Sequence, residues 1–426
     1  MSPPCYYRDG VAHCAQPAPL ARLRQDAVSG IVVVGGGLAG LRSVMALRAY
    51  AYPGPITLIG AEPHRPYDRP PLSKTVLASA WSEEVDPPTL EADWDALDVQ
   101  LRLGCRAVRL RDEVVDTEEG SLDFDSLVIA TGASPWLPAE LVSDPGGIYA
   151  LRTIEDAQAL RAAFSPAARI VIVGAGWIGS EVTTAAAAAG CQVTVVEAGK
   201  APLAAALPAE VGACTLPWYA EAGVTPRLNS PVKMVAPDGV LLADGDWLPA
   251  DAVVAGMGVR PQTEWLIGSE VALDASGAVL VDARLRTSAP GVFAVGDCAA
   301  WLSVRYGTRL RVEHWDNALR APDVAAKNLL GAEARYDPVP YFWSEQFGRM
   351  LQYVGYHPVA DAMIWRGDPT ARQWAVCWLR GNRLIAVFAV NTPRDVLQAR
   401  RLMAQNVAVD SNQLADPAVP IASCAL

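Results

Sequence analysis

Two glycine-rich turns of the same kind constrain this chain more than any other feature. Each follows an apolar, β-branched run: the first reads Ile31-Val-Val-Val-Gly35-Gly-Gly37-Leu-Ala-Gly40, and the second reads Ile170-Val-Ile-Val-Gly174-Ala-Gly176-Trp-Ile-Gly179. In a strand–turn–helix unit the first glycine permits the tight turn, and the second lets backbone N–H groups approach a pyrophosphate. The third lets helix and strand pack closely. The pattern therefore predicts two dinucleotide-binding βαβ units.

A glutamate closes the strand that follows each turn. Glu62 and Glu197 lie about 20 residues beyond the last glycine of their turns, where a carboxylate accepts hydrogen bonds from a ribose diol. One glycine turn alone is weak evidence, because tight strand-to-helix turns need glycine anyway. Two complete copies are far more specific. A protein with two dinucleotide sites usually passes a hydride from one to the other, and we predict that reaction type here.

Composition narrows the class of protein and its partners. A chain of 426 residues with 51% hydrophobic and 19% charged residues suits two or three compact globular domains. The net charge of −11 argues against nucleic acid as a partner. No apolar stretch approaches the ~20 residues of a membrane span, and the first 29 residues lack the apolar core of a secretory signal. A cytoplasmic protein without a membrane partner is expected.

The eight cysteines do not suggest a metal site. No two of them are separated by only two to four residues, so neither zinc nor iron–sulfur ligation is indicated, and no metal is predicted. Buried or idle thiols are the favoured interpretation. Cys5 and Cys14 lie close enough to pair, but a reducing compartment disfavours a disulfide.

The order of patterns along the chain predicts the domain organisation. Residues 1–29 form an N-terminal extension, 30–150 and 259–335 the first dinucleotide-binding domain, and 151–258 the second. In these domains we predict glycine-turn helices over Leu41–Tyr50 and Glu181–Ala189. Residues 336–426 alternate like strands and predict a C-terminal, antiparallel-rich α+β domain. The fold class is thus α/β, with two Rossmann-like domains and a third α+β domain. Its predicted strands are Tyr341–Trp343, Leu351–Val354, Met363–Trp365, Ala375–Leu379 and Leu384–Val390.

Further motifs carry a family resemblance. They are Tyr67-Asp-Arg-Pro-Pro-Leu-Ser-Lys74, Ala130-Thr-Gly-Ala133, Leu151-Arg-Thr153, Gly291-Val-Phe-Ala-Val-Gly-Asp-Cys298, Glu313-His-Trp-Asp-Asn-Ala318 and Tyr341-Phe-Trp-Ser-Glu-Gln346. With the two turns, their order from about Ile31 to about Ile421 resembles the oxygenase-coupled NADH-dependent ferredoxin reductases, the group that includes putidaredoxin reductase. These are flavoproteins with the two-dinucleotide architecture of glutathione reductase.

The resemblance implies FAD in the first domain and NADH in the second. Because an acid at position 197 repels the 2′-phosphate of NADPH, NADH is expected, although Lys200 leaves NADPH open as an alternative. By matching position, the FAD contacts are Gly35, Gly37, Ala39, Gly40, Glu62, Arg69, Lys74, Val108, Thr131, Gly132, Arg152, Asp297 and Trp315. The NAD contacts are Gly174, Gly176, Ile178, Gly179 and Glu197.

The resemblance also implies two catalytic residues. Lys74 is expected near flavin N5 and paired with Glu181, because a cation there stabilises charge that develops on the reduced flavin. The alternative is a purely structural salt bridge between domains. Both interpretations agree that the loss of one partner is costly if the pair is buried.

The resemblance further implies where the electrons go. Disulfide reductases of this architecture carry a cysteine pair in the segment equivalent to 66–74, and this chain has no cysteine between Gly40 and Gly104. Electrons are therefore expected to leave the flavin edge, near Trp315 and Trp343, for a [2Fe–2S] ferredoxin that serves a cytochrome P450 or a Rieske oxygenase. A local basic patch is expected to dock that acidic partner, from Arg305, Arg309, Arg311, Arg320 and Arg349.

Two other functions remain open from the sequence. One is a flavoenzyme on the same scaffold that acts directly on a small molecule or oxygen, and the other is an NADH-sensing flavoprotein resembling apoptosis-inducing factor. One departure from the family pattern is Ala321-Pro322, where the family commonly has Gln-Gly. We expect this proline to shift the start of its helix or to kink it near the flavin.

Overall fold

The structure, a computed structural model, describes residues 6–8, 11–13, 30–77, 87–142 and 147–426. Most of the predicted N-terminal extension, with Cys5 and Cys14, therefore lies outside the described residues. Within that extension the strands Tyr6–Arg8 and Val11–His13 pair antiparallel.

The first glycine turn leaves the centre of a five-stranded, fully parallel sheet, which we call the first sheet. Its central strand, Ile31–Val34, is buried along its whole length, as a β-branched run covered on both faces should be. The spatial order of strands is Val292–Ala294, Ser126–Ile129, Ile31–Val34, Ile56–Gly60 and Gln100–Leu103.

A second parallel sheet repeats this arrangement around the second turn. Its order is Ile148–Tyr149, Ala252–Ala255, Arg169–Val173, Gln192–Val196 and Thr225–Arg227. Each sheet also carries a three-stranded antiparallel meander at the same point of its path. The meanders are Ala107–Arg111, Val114–Thr117 and Gly120–Asp123 in the first unit, and Val232–Ala236, Gly239–Leu242 and Trp247–Pro249 in the second. The two units are therefore structural copies of one another.

The helices after the glycine turns begin about one turn earlier than the sequence predicted. They span Leu38–Ala49 and Trp177–Ala188, so the predicted starts at Leu41 and Glu181 were too late. The second glycine of each motif, Gly37 or Gly176, is an extended N-cap. The third glycine therefore lies inside the helix, where it allows close packing.

The chain crosses between the two units through a short antiparallel pair. Ala133–Pro135, which leaves the first unit, pairs with Val259–Pro261, which returns to it. The returning chain forms a mixed sheet of Val279–Val281, Ala299–Ser303 and Thr308–Arg311.

The helix Trp315–Leu329 then packs along the first glycine helix. Pro322 lies inside this helix, so it does not shift the helix start, and the other expected effect, a kink near the flavin, stays a prediction. Seven residues of helix precede Pro322, and the start is set instead by His314, which is extended.

The C-terminal part is a five-stranded antiparallel sheet covered by a helix. Its strands lie in the order Tyr341–Gln346, Arg349–Gly355, Arg383–Val390, Trp374–Arg380 and Ala362–Arg366, and each contains a predicted strand. The helix Pro393–Gln405 buries Val396, Ala399, Leu402 and Met403 against this sheet. The predicted fold class, two Rossmann-like units with a C-terminal α+β unit, is confirmed.

Shorter elements complete the described chain. The remaining α-helices are Trp94–Leu97, Ile154–Ala163, Ala209–Ala213, Leu216–Glu221 and Ser411–Ala415, and 3₁₀ turns span Pro70–Ser73, Ala139–Leu141, Glu264–Leu266, Gly296–Cys298, His357–Val359 and Ile421–Cys424. Among the described residues, no helix combines the length and the apolarity that crossing a bilayer would require.

Candidate functional site

One large cleft lies between the two parallel sheets. Its volume is about 1280 Å³, above the ~1,000 Å³ upper range for the site of a single drug-sized ligand. Every site residue predicted from the sequence lines this cleft except Gly40, which lies behind the first turn. The fold therefore brings both sets of predicted contacts to one continuous space.

The two glycine turns present the same geometry to this cleft. Gly35 and Gly174 have φ of +131° and +103°, which only glycine adopts readily. A Cβ atom on either would lie within 2.1 or 2.3 Å of a carbonyl oxygen. In contrast, nothing lies within 4 Å of the Cβ position of Gly37 or Gly176. Each turn thus leaves open space where its backbone and a helix N-terminus face the cleft, as a pyrophosphate requires.

The third glycine of each motif has a packing role. A Cβ on Gly40 or Gly179 would lie 1.9 or 2.0 Å from the carbonyl oxygen of the first glycine of its own turn. A side chain is therefore excluded at both positions, although Gly40 itself does not face the cleft.

Side chains of the proline-rich loop, residues 66–74, hold Glu62. Tyr67 Oη donates to Glu62 Oε2 at 2.6 Å, and Arg69 Nη2 donates to Glu62 Oε1 at 2.5 Å. Arg69 also donates through Nη1 to the carbonyl oxygen of Arg152 at 2.5 Å. Burial raises the pKa of Tyr67, so its hydroxyl keeps the proton that it donates. Glu62 is thus part of a network that spans residues 62 to 152.

Backbone groups hold the equivalent Glu197. Its Oε2 accepts a hydrogen bond from the N–H of Ala175, in the middle of the second glycine turn, at 2.8 Å. Its Oε1 accepts one from the N–H of Gly199 at 2.7 Å. No lysine or arginine lines the described part of the cleft between residues 173 and 265, and Lys200 is exposed and outside the cleft wall.

A second ion pair lies at the first turn. Arg152 Nη2 and Asp297 Oδ2 are 3.1 Å apart, and both residues line the cleft. Thr131, which also lines the cleft, has a buried Oγ1 without a hydrogen-bond partner. A buried hydroxyl of this kind is costly unless something binds it. The polar groups of the first unit therefore fit an anionic, hydroxyl-rich ligand such as FAD.

The two predicted catalytic residues form an ion pair across the cleft. Lys74 Nζ lies 2.8 Å from Glu181 Oε2, and their side chains are only 17% and 3% exposed. Lys74 comes from the proline-rich loop of the first unit and Glu181 from the second glycine helix. The pair therefore connects the two dinucleotide-binding units where both line the cleft.

Aromatic side chains form the cleft wall near this pair. Trp315 Nε1 donates to Asp68 Oδ1 at 2.8 Å, and the rings of Trp315 and Trp343 meet edge to face at 6.0 Å. His314 stacks on Phe342 with 4.1 Å between ring centroids. Burial lowers the pKa of His314 to about 4, so the ring is neutral near pH 7. The wall offers flat, apolar surfaces to a planar ring system.

Several residues of the site were missed by sequence reasoning. Tyr67 and Ser73 contact the predicted carboxylates Glu62 and Glu181, and Ser344 donates to Glu181 at 2.6 Å. All three stand inside the quoted motifs, which was the available signal. The motifs did not reveal that Ser73 and Ser344 contact Glu181, because these partners lie 108 and 163 residues apart in the chain.

The five predicted docking arginines all lie outside the cleft wall. Each of them has an intramolecular partner. Arg311, Arg320 and Arg349 pair with Glu313, Asp316 and Glu221. Arg305 and Arg309 donate to backbone carbonyl groups.

Histidine, cysteine and acidic side chains of the described residues are not grouped for metal binding. Across the described ranges, no three of them lie in an arrangement that could hold a metal ion. Six cysteines within these ranges are free thiols.

Comparisons with known proteins agree with this geometry. The profile of the pyridine nucleotide-disulphide oxidoreductase family matches residues 29–321, and that of the reductase C-terminal family matches residues 341–425. The chain is 37% identical to the anthranilate 1,2-dioxygenase system ferredoxin–NAD(+) reductase component of Burkholderia cepacia over 91% of this chain and 97% of that protein.

Solved structures share this fold over most of the chain. The crystal structure of Fdr9 matches with a TM-score of 0.86 and 46% identity, covering 93% of this chain and all of that one. The crystal structure of the covalent putidaredoxin reductase–putidaredoxin complex matches with a TM-score of 0.86 and 32% identity, covering 93% and 97% of the two chains.

Proposed function

Because the chain belongs to the pyridine nucleotide-disulphide oxidoreductase family, we propose that it is an FAD-dependent ferredoxin reductase. In this proposal it passes electrons from NADH through FAD to a [2Fe–2S] ferredoxin that serves a cytochrome P450 or a Rieske oxygenase. Residues 30–150 and 259–335 bind FAD, residues 151–258 bind NADH, and residues 336–426 complete the site. The proposed location is the cytoplasm, where NADH is available.

One observation carries the proposal. A single cleft is lined by two glycine turns, each with its own acidic residue, and the Lys74–Glu181 pair lies between them. Two dinucleotides that enter from opposite ends bring their reactive rings together at that pair. Such an arrangement is suited to hydride transfer between the rings.

Bound FAD supplies the ability to accept two electrons as a hydride and to release them one at a time. The chain's own residues supply position and electrostatics. Arg69, Arg152 and Lys74 place positive charge in the first half of the cleft, where the pyrophosphate and the flavin would lie. Trp315, Trp343 and Phe342 exclude water from the ring sites.

The second half of the cleft favours NADH over NADPH. Glu197 places a carboxylate where the ribose diol is expected, and the cleft wall there carries no cation to hold a 2′-phosphate. Lys200, the residue that left NADPH open in the sequence, is outside the wall. With no cation on that part of the wall, a second nucleotide can bind and leave during each turnover.

The exit of electrons is proposed at the Trp315–Trp343 edge of the cleft. No cysteine that lines the cleft belongs to the proline-rich loop, so a dithiol relay in that loop is excluded. The cleft-lining thiol Cys105 is fully buried, and burial raises its pKa. A one-electron carrier that approaches the flavin edge remains the route that the geometry supports.

The experiment combines NADH with candidate ferredoxins. The purified protein should carry FAD, and NADH should reduce that flavin without oxygen present. Steady-state oxidation of NADH should stay slow until a [2Fe–2S] ferredoxin and cytochrome c are added together. A colourless protein that does not bind flavin would refute the proposal.

The same experiment separates the two other functions. Fast NADH oxidation without ferredoxin, driven by oxygen or a small molecule, would indicate a direct flavoenzyme. A long-lived reduced complex with slow turnover and an NADH-dependent change in mass would indicate a sensing protein.

A further inference from the structure

The carboxylate of Glu181 is held from two sides. Its Oε2 accepts hydrogen bonds from Lys74 Nζ at 2.8 Å and from Ser73 Oγ. Its Oε1 accepts them from Ser344 Oγ at 2.6 Å and from the backbone N–H of Glu345 at 3.3 Å. The proline-rich loop of the first unit therefore holds one oxygen, and the C-terminal sheet holds the other.

Ser344 is fixed in a single orientation. It is fully buried, and its Oγ accepts a hydrogen bond from Gln346 Nε2 at 3.0 Å. A serine hydroxyl has one proton to donate, and Ser344 directs that proton to Glu181. Gln346 is itself 1% exposed, so both groups are held by their surroundings.

The strand that carries Ser344 is attached to the second glycine helix at another point. The N–H of Phe347 donates to Thr184 Oγ1 at 3.1 Å, about one helical turn beyond Glu181. The ring of Phe347 lies 4.6 Å from that of Tyr219 in the second unit. Two residues before Ser344, Phe342 lines the cleft. The C-terminal sheet thus contacts both the cleft and the helix at fixed positions.

We propose that Ser344 is a positioning residue for hydride transfer: it holds the Glu181 carboxylate so that Glu181 in turn holds the Lys74 ammonium at the flavin site. This inference rests on the proposed function and assigns the C-terminal sheet a part in it. Without the Ser344 hydroxyl, Oε1 keeps only the longer hydrogen bond from Glu345, and the carboxylate can rotate away from Lys74.

The test is a double-mutant cycle in the FAD-loaded full chain, with Ser344→Ala and Lys74→Met made singly and together. Flavin reduction by NADH is followed by stopped flow without ferredoxin. Ser344→Ala should slow reduction about tenfold, the effect of a lost hydrogen bond to a charged group. In the Lys74→Met background the same change should alter the rate less than about twofold, because the ammonium is already absent. Equal effects in both backgrounds would overturn the proposal.

A second readout does not depend on turnover. The visible absorption spectrum of bound, oxidised FAD reports the charge beside the flavin. Ser344→Ala should shift that spectrum in the parent and leave it unchanged in the Lys74→Met background. A spectrum that Ser344→Ala never alters would count against the proposal.

Two further variants isolate the hydroxyl group. Ser344→Thr keeps the hydroxyl and should retain most of the parent's rate of flavin reduction. Ser344→Cys has only a weak donor, so its rate should lie between those of Ser344→Ala and Ser344→Thr. If Ser344→Ala does not fold, the comparison of Thr with Cys carries the test, and equal rates in those two variants would refute the role.

Ser303 provides a matched control. It is also fully buried and donates to a carboxylate, Asp337, at 2.5 Å, but neither residue lines the cleft. Ser303→Ala should lower the thermal unfolding temperature by about as much as Ser344→Ala does, but it should not slow flavin reduction. Equal slowing in Ser303→Ala would show that general destabilisation explains the effect. None of these measurements includes ferredoxin. A protein that meets these expectations but does not reduce ferredoxin would therefore refute only the proposed function.

Discussion

The two dinucleotide-binding units share one topology and differ in how they hold their acidic residue. In the first unit, side chains of Tyr67 and Arg69 hold Glu62, and three of the four basic side chains that line the cleft, Arg69, Lys74 and Arg106, lie in this unit. In the second, backbone N–H groups of Ala175 and Gly199 hold Glu197, and its one basic side chain on the described wall, Arg152, pairs with Asp297 of the first unit. The difference suits a cofactor that stays bound in the first unit and a nucleotide that exchanges in the second.

The largest expected effect comes from the pair that joins the two units. Glu181→Ala leaves the Lys74 ammonium without its buried partner, which should cost about 3–5 kcal/mol of unfolding free energy. The variant should retain FAD but reduce it on the order of 100-fold more slowly. Stopped-flow reduction by NADH and chemical denaturation measure the two effects.

Glu264 is the control for that prediction, because it is an exposed carboxylate of the same cleft. Glu264→Ala should change neither the unfolding free energy nor the rate of flavin reduction appreciably. A stable, flavin-loaded Glu181→Ala protein with an unchanged rate would leave only a structural role for the pair.

Substitutions of Gly35 and Gly174, the first glycine of each turn, test whether the two turns tolerate a side chain equally poorly but bind different nucleotides. Gly35→Ala and Gly174→Ala each place a Cβ close to a carbonyl oxygen at positive φ, and each should cost about 3 kcal/mol. Gly35→Ala should lose FAD, whereas Gly174→Ala should keep FAD and lose NADH binding. The ratio of flavin to protein absorbance and titration with NADH distinguish them. Loss of FAD in both variants would contradict the assignment of the two sites.

The hydrogen-bond network of Glu62, Tyr67 and Arg69 should affect FAD binding in the first unit and not NADH binding in the second. Arg69→Met removes a charged donor from Glu62 and from the Arg152 carbonyl oxygen. We expect FAD to bind about 30-fold more weakly, equivalent to about 2 kcal/mol. Arg65→Met is the matched control, since Arg65 is exposed and immediately precedes the same loop. Equal FAD affinity in both variants, by equilibrium dialysis, would argue against the network.

The backbone-held acid should set nucleotide preference. Glu197→Gln removes the charge that repels a 2′-phosphate, so the preference for NADH over NADPH in kcat/KM should fall about tenfold. Lys200→Met should leave that preference unchanged, because Lys200 is outside the cleft wall. A larger effect from Lys200 than from Glu197 would reverse this interpretation.

The smallest expected effect compares two buried tyrosines, one in each unit. Tyr67→Phe removes a hydrogen bond to Glu62 and should weaken FAD binding by about 1 kcal/mol. Tyr219→Phe removes the hydrogen bond between Tyr219 and Ser180 and should cost a similar unfolding free energy without affecting either nucleotide. Isothermal titration measures FAD binding, and thermal unfolding measures stability. Loss of FAD in Tyr219→Phe would contradict the expectation that only the first unit's tyrosine affects FAD binding.

The accuracy of the sequence predictions depended on how local each feature is. The five C-terminal strands were predicted from alternating segments together with the family resemblance, and all five are present. The glycine-turn helices were predicted about one turn too short, because the third glycine looked like part of the turn rather than of the helix. The predicted arginine patch had no local sequence pattern behind it. In the structure Arg311, Arg320 and Arg349 form ion pairs with carboxylates of the same chain.

By itself, the sequence determined two strand–turn–helix units and their acidic strand ends. Within such a unit, ten consecutive residues set the backbone path, because only glycine fits the positive φ and the close approach. Tertiary structure decided the partners of Glu181, of which the family resemblance had implied Lys74 and not Ser344. Lys74 lies 107 residues before it and Ser344 lies 163 after it. Contacts over such separations depend on how three packed units meet, and no local pattern encodes that meeting.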